Sequence, residues 1–229
     1  MKNRILSVAL FAALLSCGGM SFAQTPDDDT EYLMEIGPAT GVSFYMGDAN
    51  DRLYRDSRFM GGIVARYRFN PRLALKADLT AAGIAGSTAN MSDRTFPEEI
   101  NFSRTIYDFG VQVEGNFLAY GTTTYNDCHR LVPYYLLGIG MTFAPEPAEN
   151  DFAACFPIGI GVKYKLARRL NLSLEWTMRF STSDRLDVTG HTGQDPYMIK
   201  SGFMKNRDSY GFTMLMLTYD IFAKPCDCN

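Results

Sequence analysis

Ile63-Val64-Ala65-Arg66-Tyr67-Arg68-Phe69-Asn70-Pro71-Arg72-Leu73-Ala74-Leu75-Lys76-Ala77-Asp78-Leu79 reads as two strands joined by a tight turn. Ile63, Ala65, Tyr67 and Phe69 share one face, and Arg66 and Arg68 share the other. After Asn70-Pro71 the pattern recurs: Leu73, Leu75, Ala77 and Leu79 stand against Lys76 and Asp78. Side chains alternate faces along a strand, so each strand has one apolar and one charged side. Proline fixes its own φ and asparagine tolerates left-handed backbone, which suits both to the turn.

The same unit repeats outward from this hairpin. Tyr32–Met46 sets Tyr32, Met34, Ile36, Thr40, Val42, Phe44 and Met46 against Glu35, Gly37, Ala39, Gly41 and Ser43. Ser103–Ala119 sets Thr105, Tyr107, Phe109, Val111, Val113 and Phe117 against Arg104, Asp108, Gln112, Glu114 and Asn116. Pro133–Phe143, Phe156–Leu166 and Leu170–Phe180 alternate likewise, and Ser209–Phe222 is apolar on both faces and hard to phase. With the hairpin spanning Arg58–Ala85, these segments predict about eight strands, several longer than the ~9–11 residues a tilted strand needs to cross a bilayer. The connections after strands two and six are tight and the one after four is intermediate, whereas the odd-numbered connections are longer. That alternation is expected when all even turns lie on one side of a membrane and all odd loops on the other.

Alternation alone fits both a soluble barrel with its apolar face inside and a membrane barrel with that face against lipid. The polar face decides. It carries Gly37, Ala39, Gly41, Ser43, Gly138, Gly140, Gly159 and Gly161, which suit a cramped interior. Among them stand Glu35, Arg66, Arg68, Lys76, Asp78, Asp108, Glu114, Lys163, Glu175 and Arg179, of both signs. Buried charges must pair, and this set can. Tyr32, Phe44, Phe59, Phe69, Phe117, Phe143, Phe156 and Phe180 place aromatics toward strand ends, as interfacial girdles require. The expectation is an all-β, eight-stranded antiparallel up-and-down transmembrane β-barrel whose interior is filled by side chains. Function is then expected in the loops, the outer wall or the ends.

Of the 229 residues, 46% are hydrophobic and the formal net charge is −3, which gives no reason to expect a nucleic-acid partner. Met1-Lys2-Asn3-Arg4 followed by Ile5–Leu15 has the form of a secretory signal, with Ser21-Phe22-Ala23 as the cleavage site. Lipidation at Cys17, after Leu14-Leu15-Ser16, is a competing reading with a poorer motif. Residues 1–23 are therefore read as a signal peptide, 24–30 as a polar lead-in, 31–222 as the barrel and 223–229 as a cysteine-containing tail. Export leads to an oxidising compartment, where cysteines can pair.

Glu35-Ile36-Gly37 with Gly41-Val42-Ser43-Phe44-Tyr45-Met46-Gly47-Asp48, the hairpin Tyr67-Arg68-Phe69-Asn70-Pro71-Arg72, Asn116-Phe117-Leu118, and Pro133-Tyr134-Tyr135-Leu136-Leu137-Gly138-Ile139-Gly140 form an ordered set. That set resembles the PorG-like outer-membrane β-barrel family of the type IX secretion system, from about Glu31 to Phe222. The resemblance implies an accessory barrel that associates with a periplasmic ring built by a lipoprotein and its partner. It implies no catalytic residues.

With both termini in the periplasm, Cys128, Cys226 and Cys228 fall on the periplasmic side, and Cys155 falls in an outward loop. One internal bridge from Cys128 to Cys226 or Cys228 leaves a cysteine over, which suggests an intermolecular bridge to a periplasmic partner. A tail with free or self-paired thiols is the other reading. Cys128, His129, Cys226 and Cys228 have the ligand types of a zinc site, but not its usual spacing. Asp48, Asn50, Asp51 and Asp56 match no calcium-loop spacing, and His191 is isolated. The sequence lacks a Gly-x-Ser-x-Gly motif, and neither His129 nor His191 lies mid-strand beside a nucleophile, so an enzyme is not expected and no cofactor or metal is implied. The expected role is a non-enzymatic component of a protein-secretion machinery. It would contact outer-membrane lipid along its wall and dock the lipoprotein and ring through Asn70-Pro71-Arg72, Tyr120–Arg130, Ala167-Arg168-Arg169 and the tail. The alternative is a surface-facing adhesion or envelope-stabilising barrel that acts through its outward loops.

Overall fold

A computed structural model describes residues 32–46, 53–54, 56–87, 101–120, 129–145, 151–182 and 209–223. They form eight strands: β1 (Tyr32–Met46), β2 (Arg58–Asn70), β3 (Leu73–Ser87), β4 (Asn101–Asn116), β5 (Leu131–Ala144), β6 (Asp151–Ala167), β7 (Leu170–Ser181) and β8 (Ser209–Ala223). Each pairs antiparallel with the next, and β8 pairs back onto β1, from Tyr32 opposite Ala223 to Met46 opposite Ser209. The sheet is a closed barrel, so no strand edge is left unpaired. The segments read as a signal (1–23), a lead-in (24–30) and a tail beyond Ala223, together with Asp48, Asn50, Asp51 and His191, lie outside the described residues.

At the opening hairpin, Asn70 acts through its side chain rather than through left-handed backbone. Its Oδ1 accepts from the amides of Arg72 and Leu73, each at 2.8 Å. The described non-glycine residues with positive φ are Tyr54, Asp56 and Phe222. A register shift between Arg68 and Asn70 lets the ladder close over the turn.

Two strand limits differ from the sequence reading by more than two residues. β4 ends at Asn116 rather than Ala119, and the chain then turns back across the barrel mouth. β6 begins at Asp151 rather than Phe156, because β5 runs on to Ala144 and supplies ladder partners for Asp151–Ala154. Cys155 is therefore not in an outward loop. It lies in β6 with its side chain buried in the barrel.

The two faces of the wall have opposite chemistry. Ile63, Leu79, Leu137, Ile139, Ile158, Ile160, Leu174 and Leu215 are exposed on the outside, whereas Glu35, Arg66, Lys76, Glu114 and Arg179 are fully buried within. This inverts a water-soluble protein and is the arrangement of a barrel solvated by lipid. Exposed aromatics ring both ends of the wall, with Phe59, Tyr107, Phe143, Phe152 and Phe180 at one and Tyr67, Phe69, Phe117 and Tyr135 at the other. Phe59 and Phe69 stand ten residues apart on β2, which is about 33 Å of strand and about 25 Å of height at a tilt of about 40°. That matches the apolar band of a transmembrane barrel.

β8 is phased by its neighbours. Tyr210, Phe212, Met214, Met216, Thr218 and Asp220 point inward and are buried, while Leu215 and Leu217 are exposed outside. Of these, Tyr210, Phe212, Met214 and Met216 join Tyr45, Met60, Val64, Ile84 and Ile106 in an apolar cluster inside the barrel, on the side formed by β8 and β1–β4. The interior is thus partly apolar, which explains why β8 shows no alternation. Phe44 also departs from the sequence reading as a girdle residue. It lies on the outer wall but is fully buried, because Tyr54 packs over it at 4.7 Å between ring centroids and Trp176 lies alongside at 6.4 Å. Its ring occupies the space a side chain on Gly211 would need.

Candidate functional site

The barrel interior holds a chain of paired charges. Among the described residues, the buried acids are Glu35, Asp78, Asp108, Glu114, Glu175 and Asp220, and the buried bases are Arg66, Arg68, Lys76, Arg104, Lys163, Lys165 and Arg179. Strand alternation puts them there, since each stands on the inward parity of its strand. Arg66 sits between Glu35 at 3.0 Å and Glu114 at 2.7 Å, at ion-pair distance without the alignment of hydrogen bonds. Lys163 reaches Glu114 at 2.6 Å. Lys76 pairs with Glu175, whose other oxygen accepts from the Tyr134 hydroxyl at 2.7 Å. Arg179 bridges Asp78 at 2.8 Å and Asp108. Asp108 also accepts from Tyr210 and, at 3.1 Å, from Thr142.

A second group closes the end where the tight turns lie. Asp220 accepts from Arg68 at 2.7 Å and from Lys165 at 3.0 Å. Asn171 Nδ2 donates to Asp220 at 2.9 Å and to Glu35 at 3.1 Å, which links the two groups. Over them lies Tyr120. After β4 the chain folds back, the Tyr120 amide donates to the Pro71 carbonyl at 3.0 Å, and its hydroxyl donates to Asn171 at 2.6 Å. The ammonium groups of Lys163 and Lys165 lie 5.6 and 5.5 Å from its ring centroid. Tyr120 caps the mouth and is not available for docking, although the segment it begins was a docking candidate.

All ten charged side chains singled out on the strands, Glu35, Arg66, Arg68, Lys76, Asp78, Asp108, Glu114, Lys163, Glu175 and Arg179, thus lie in one interior system. Sequence reasoning left out Asp220 and Lys165, which complete it. Asp220 was hidden in the unphased β8, and its only signal was the parity it shares with Thr218. Tyr120 carried no signal, because a connection has no period.

The arrangement neutralises its charges internally. The acids face bases, and large side chains such as Arg66, Arg179, Tyr134 and Lys163 fill the cross-section. Cys155 lies 3.7 Å from Asp108, which is already engaged by Arg179 and Tyr210. Among the described residues no three His, Cys, Asp or Glu side chains cluster as metal ligands. Cys128, Cys226 and Cys228 lie outside the described residues, as does the loop over residues 183–208.

The tight-turn end presents its own surface. Asn70, Arg72, Ala167, Arg168, His129 and Arg130 are exposed there, and Arg169 is partly covered by the rings of Tyr32 and Tyr219.

Among families, a model described as "Domain of unknown function (DUF6089)" matches residues 23–229. No curated protein matches the sequence. Among solved structures, Neisserial surface protein A is similar at 15% identity and a TM-score of 0.45, covering 83% of this chain and 97% of that one. Ail, the attachment invasion locus protein of Yersinia pestis, in complex with the heparin analogue sucrose octasulfate, is similar at 14% identity and a TM-score of 0.45, covering 84% and 99%.

Proposed function

The chain belongs to the DUF6089 family, and we propose that it is a non-enzymatic outer-membrane barrel serving as a docking component of a protein-secretion machinery. One observation carries this reading. The barrel interior is filled by ion pairs and capped by Tyr120, so it offers neither a passage nor a reactive site. What remains for function is the exposed surface. At the tight-turn end this includes the exposed basic side chains Arg72, His129, Arg130 and Arg168. Short turns face the periplasm in outer-membrane barrels, and on this reading the tight-turn surface faces the periplasm.

The type IX machinery is the specific assignment, and it rests on the resemblance of the β1, β2–β3 and β5 sequences to the PorG-like family. On that reading the partner is a periplasmic lipoprotein with its ring-forming companion. Cys226 and Cys228, with Cys128, are the candidates for a disulfide to it.

The test is co-purification from outer membranes in mild detergent without reductant, using a tagged copy. The expected result is a large assembly containing a periplasmic lipoprotein, weakened by Arg72→Glu with Arg168→Glu. Release of that lipoprotein by reductant, or by Cys226→Ser with Cys228→Ser, would assign the disulfide. Recovery of the barrel alone, with secretion intact in a deletion strain, would reject the secretion role and move function to the outward loops.

A further inference from the structure

Arg169 occupies an unusual position for a charged side chain. It lies in the turn between β6 and β7, and its backbone carbonyl accepts from the Asp220 amide at 2.8 Å. Its guanidinium lies over two rings, with the centroids 4.6 Å away for Tyr32 and 5.0 Å for Tyr219. Tyr219 stands on the outward parity of β8 with the exposed Leu215 and Leu217, so the guanidinium rests on the outer wall near the turn-end girdle. Its neighbour Asp220 points the other way and is fully buried.

No carboxylate lies within ion-pair distance of Arg169 among the described residues. Its Nε is sealed from solvent without a hydrogen-bond partner. An arginine costs free energy in an apolar setting unless it meets an acceptor. Two rings that hold the planar fork in place lower the entropy lost on binding one.

We propose that Arg169, with Tyr32 and Tyr219, is a binding site for the phosphate of one phospholipid headgroup in the leaflet on the tight-turn side. The guanidinium supplies two parallel donors, which match two phosphate oxygens. The tyrosine hydroxyls supply further donors at the same depth. The acyl chains then lie along the apolar outer wall below. The site follows from the transmembrane reading and is independent of any secretion partner. It assigns Arg169 to the membrane and leaves Arg72 and Arg168 for a partner.

Native mass spectrometry of the purified full chain in detergent, titrated with phosphatidylglycerol or with diacylglycerol of the same acyl chains, tests this. The wild type is expected to retain one phosphatidylglycerol in preference to diacylglycerol. Arg169→Gln should weaken that lipid about five-fold, the usual worth of one basic residue at a lipid surface, and Arg169→Lys should fall between. Tyr32→Leu with Tyr219→Leu should weaken it with the charge still present. Arg72→Gln, at the same end but on another turn, should not. Flotation with vesicles and heat-modifiable gel mobility show that each variant still folds and inserts, which separates failure of the site from failure of the transmembrane reading. An unchanged preference in Arg169→Gln would overturn the proposal, as would an equal loss in Arg72→Gln. Displacement of the lipid by inorganic phosphate would reassign the site to free anions and overturn it as a lipid site.

Discussion

Arg66 concentrates the electrostatic problem of this interior in one side chain. It is fully buried, within 3.0 Å of Glu35 and 2.7 Å of Glu114. The two acids have other partners as well: Glu35 accepts from Thr218 at 2.5 Å and from Asn171, and Glu114 pairs with Lys163. Breaking a buried pair is costlier than never having made it, because the remaining charge stays in a medium that solvates it poorly. Arg66→Met should therefore destabilise the barrel by about 3–5 kcal/mol. The double variant Arg66→Met with Glu114→Gln should recover part of that, since it removes one of the stranded charges. Urea unfolding in lipid vesicles can report this through the fluorescence of Trp176, the chain's single tryptophan, which lies on the outer wall. A loss below about 1 kcal/mol in the single variant would mean that water reaches the pair and the interior is not closed around it.

The tight turn between β2 and β3 separates two explanations for one residue. Read from sequence, Asn70 suits a turn because asparagine tolerates left-handed backbone. In the structure it is a hydrogen-bond acceptor for two amides, those of Arg72 and Leu73. Asn70→Ala should cost about 1–2 kcal/mol, the worth of one or two exposed hydrogen bonds. Asn70→Asp keeps the acceptor and should stay near wild type. Asn70→Gly offers backbone freedom without the acceptor and should behave like alanine. Rescue by glycine and not by aspartate, measured by the same unfolding, would restore the backbone explanation. The hairpin itself was legible because Arg66, Arg68, Lys76 and Asp78 mark one face without interruption. β8 was not legible, because Phe212, Met214 and Met216 point into an apolar part of the interior, so both its faces read the same. The start of β6 was missed because Ala153 and Cys155 are small inward residues, and only their pairing with β5 shows that they belong to a strand. Phe44 read as a girdle aromatic because its parity is outward, and nothing local shows that Tyr54 covers it.

For the molecule as a whole, the strand parities gave closure, the apolar exterior and most of the charged interior. The stopper at one mouth came from Tyr120, in a connection where no period operates. That stopper and the charge system decide whether the barrel can conduct. An eight-stranded barrel is just wide enough for side chains to fill. Here Arg66, Tyr134, Glu175, Lys76 and Lys163 lie across it at 0–1% exposure. An ion crossing this layer would have to part charges already neutralised by their neighbours, at the cost of leaving some unpaired. The purified protein in planar bilayers should therefore show no steady single-channel conductance. Tyr120→Ala opens the mouth but leaves that layer intact, so it too should remain silent. Heat-modifiable mobility of the same samples shows that the inserted protein is folded. Steady channels from the folded wild type would remove the premise that function resides on the ends and the wall. Channels from Tyr120→Ala alone would instead make Tyr120 the seal and its connection a gate, with the charge system lining a passage behind it.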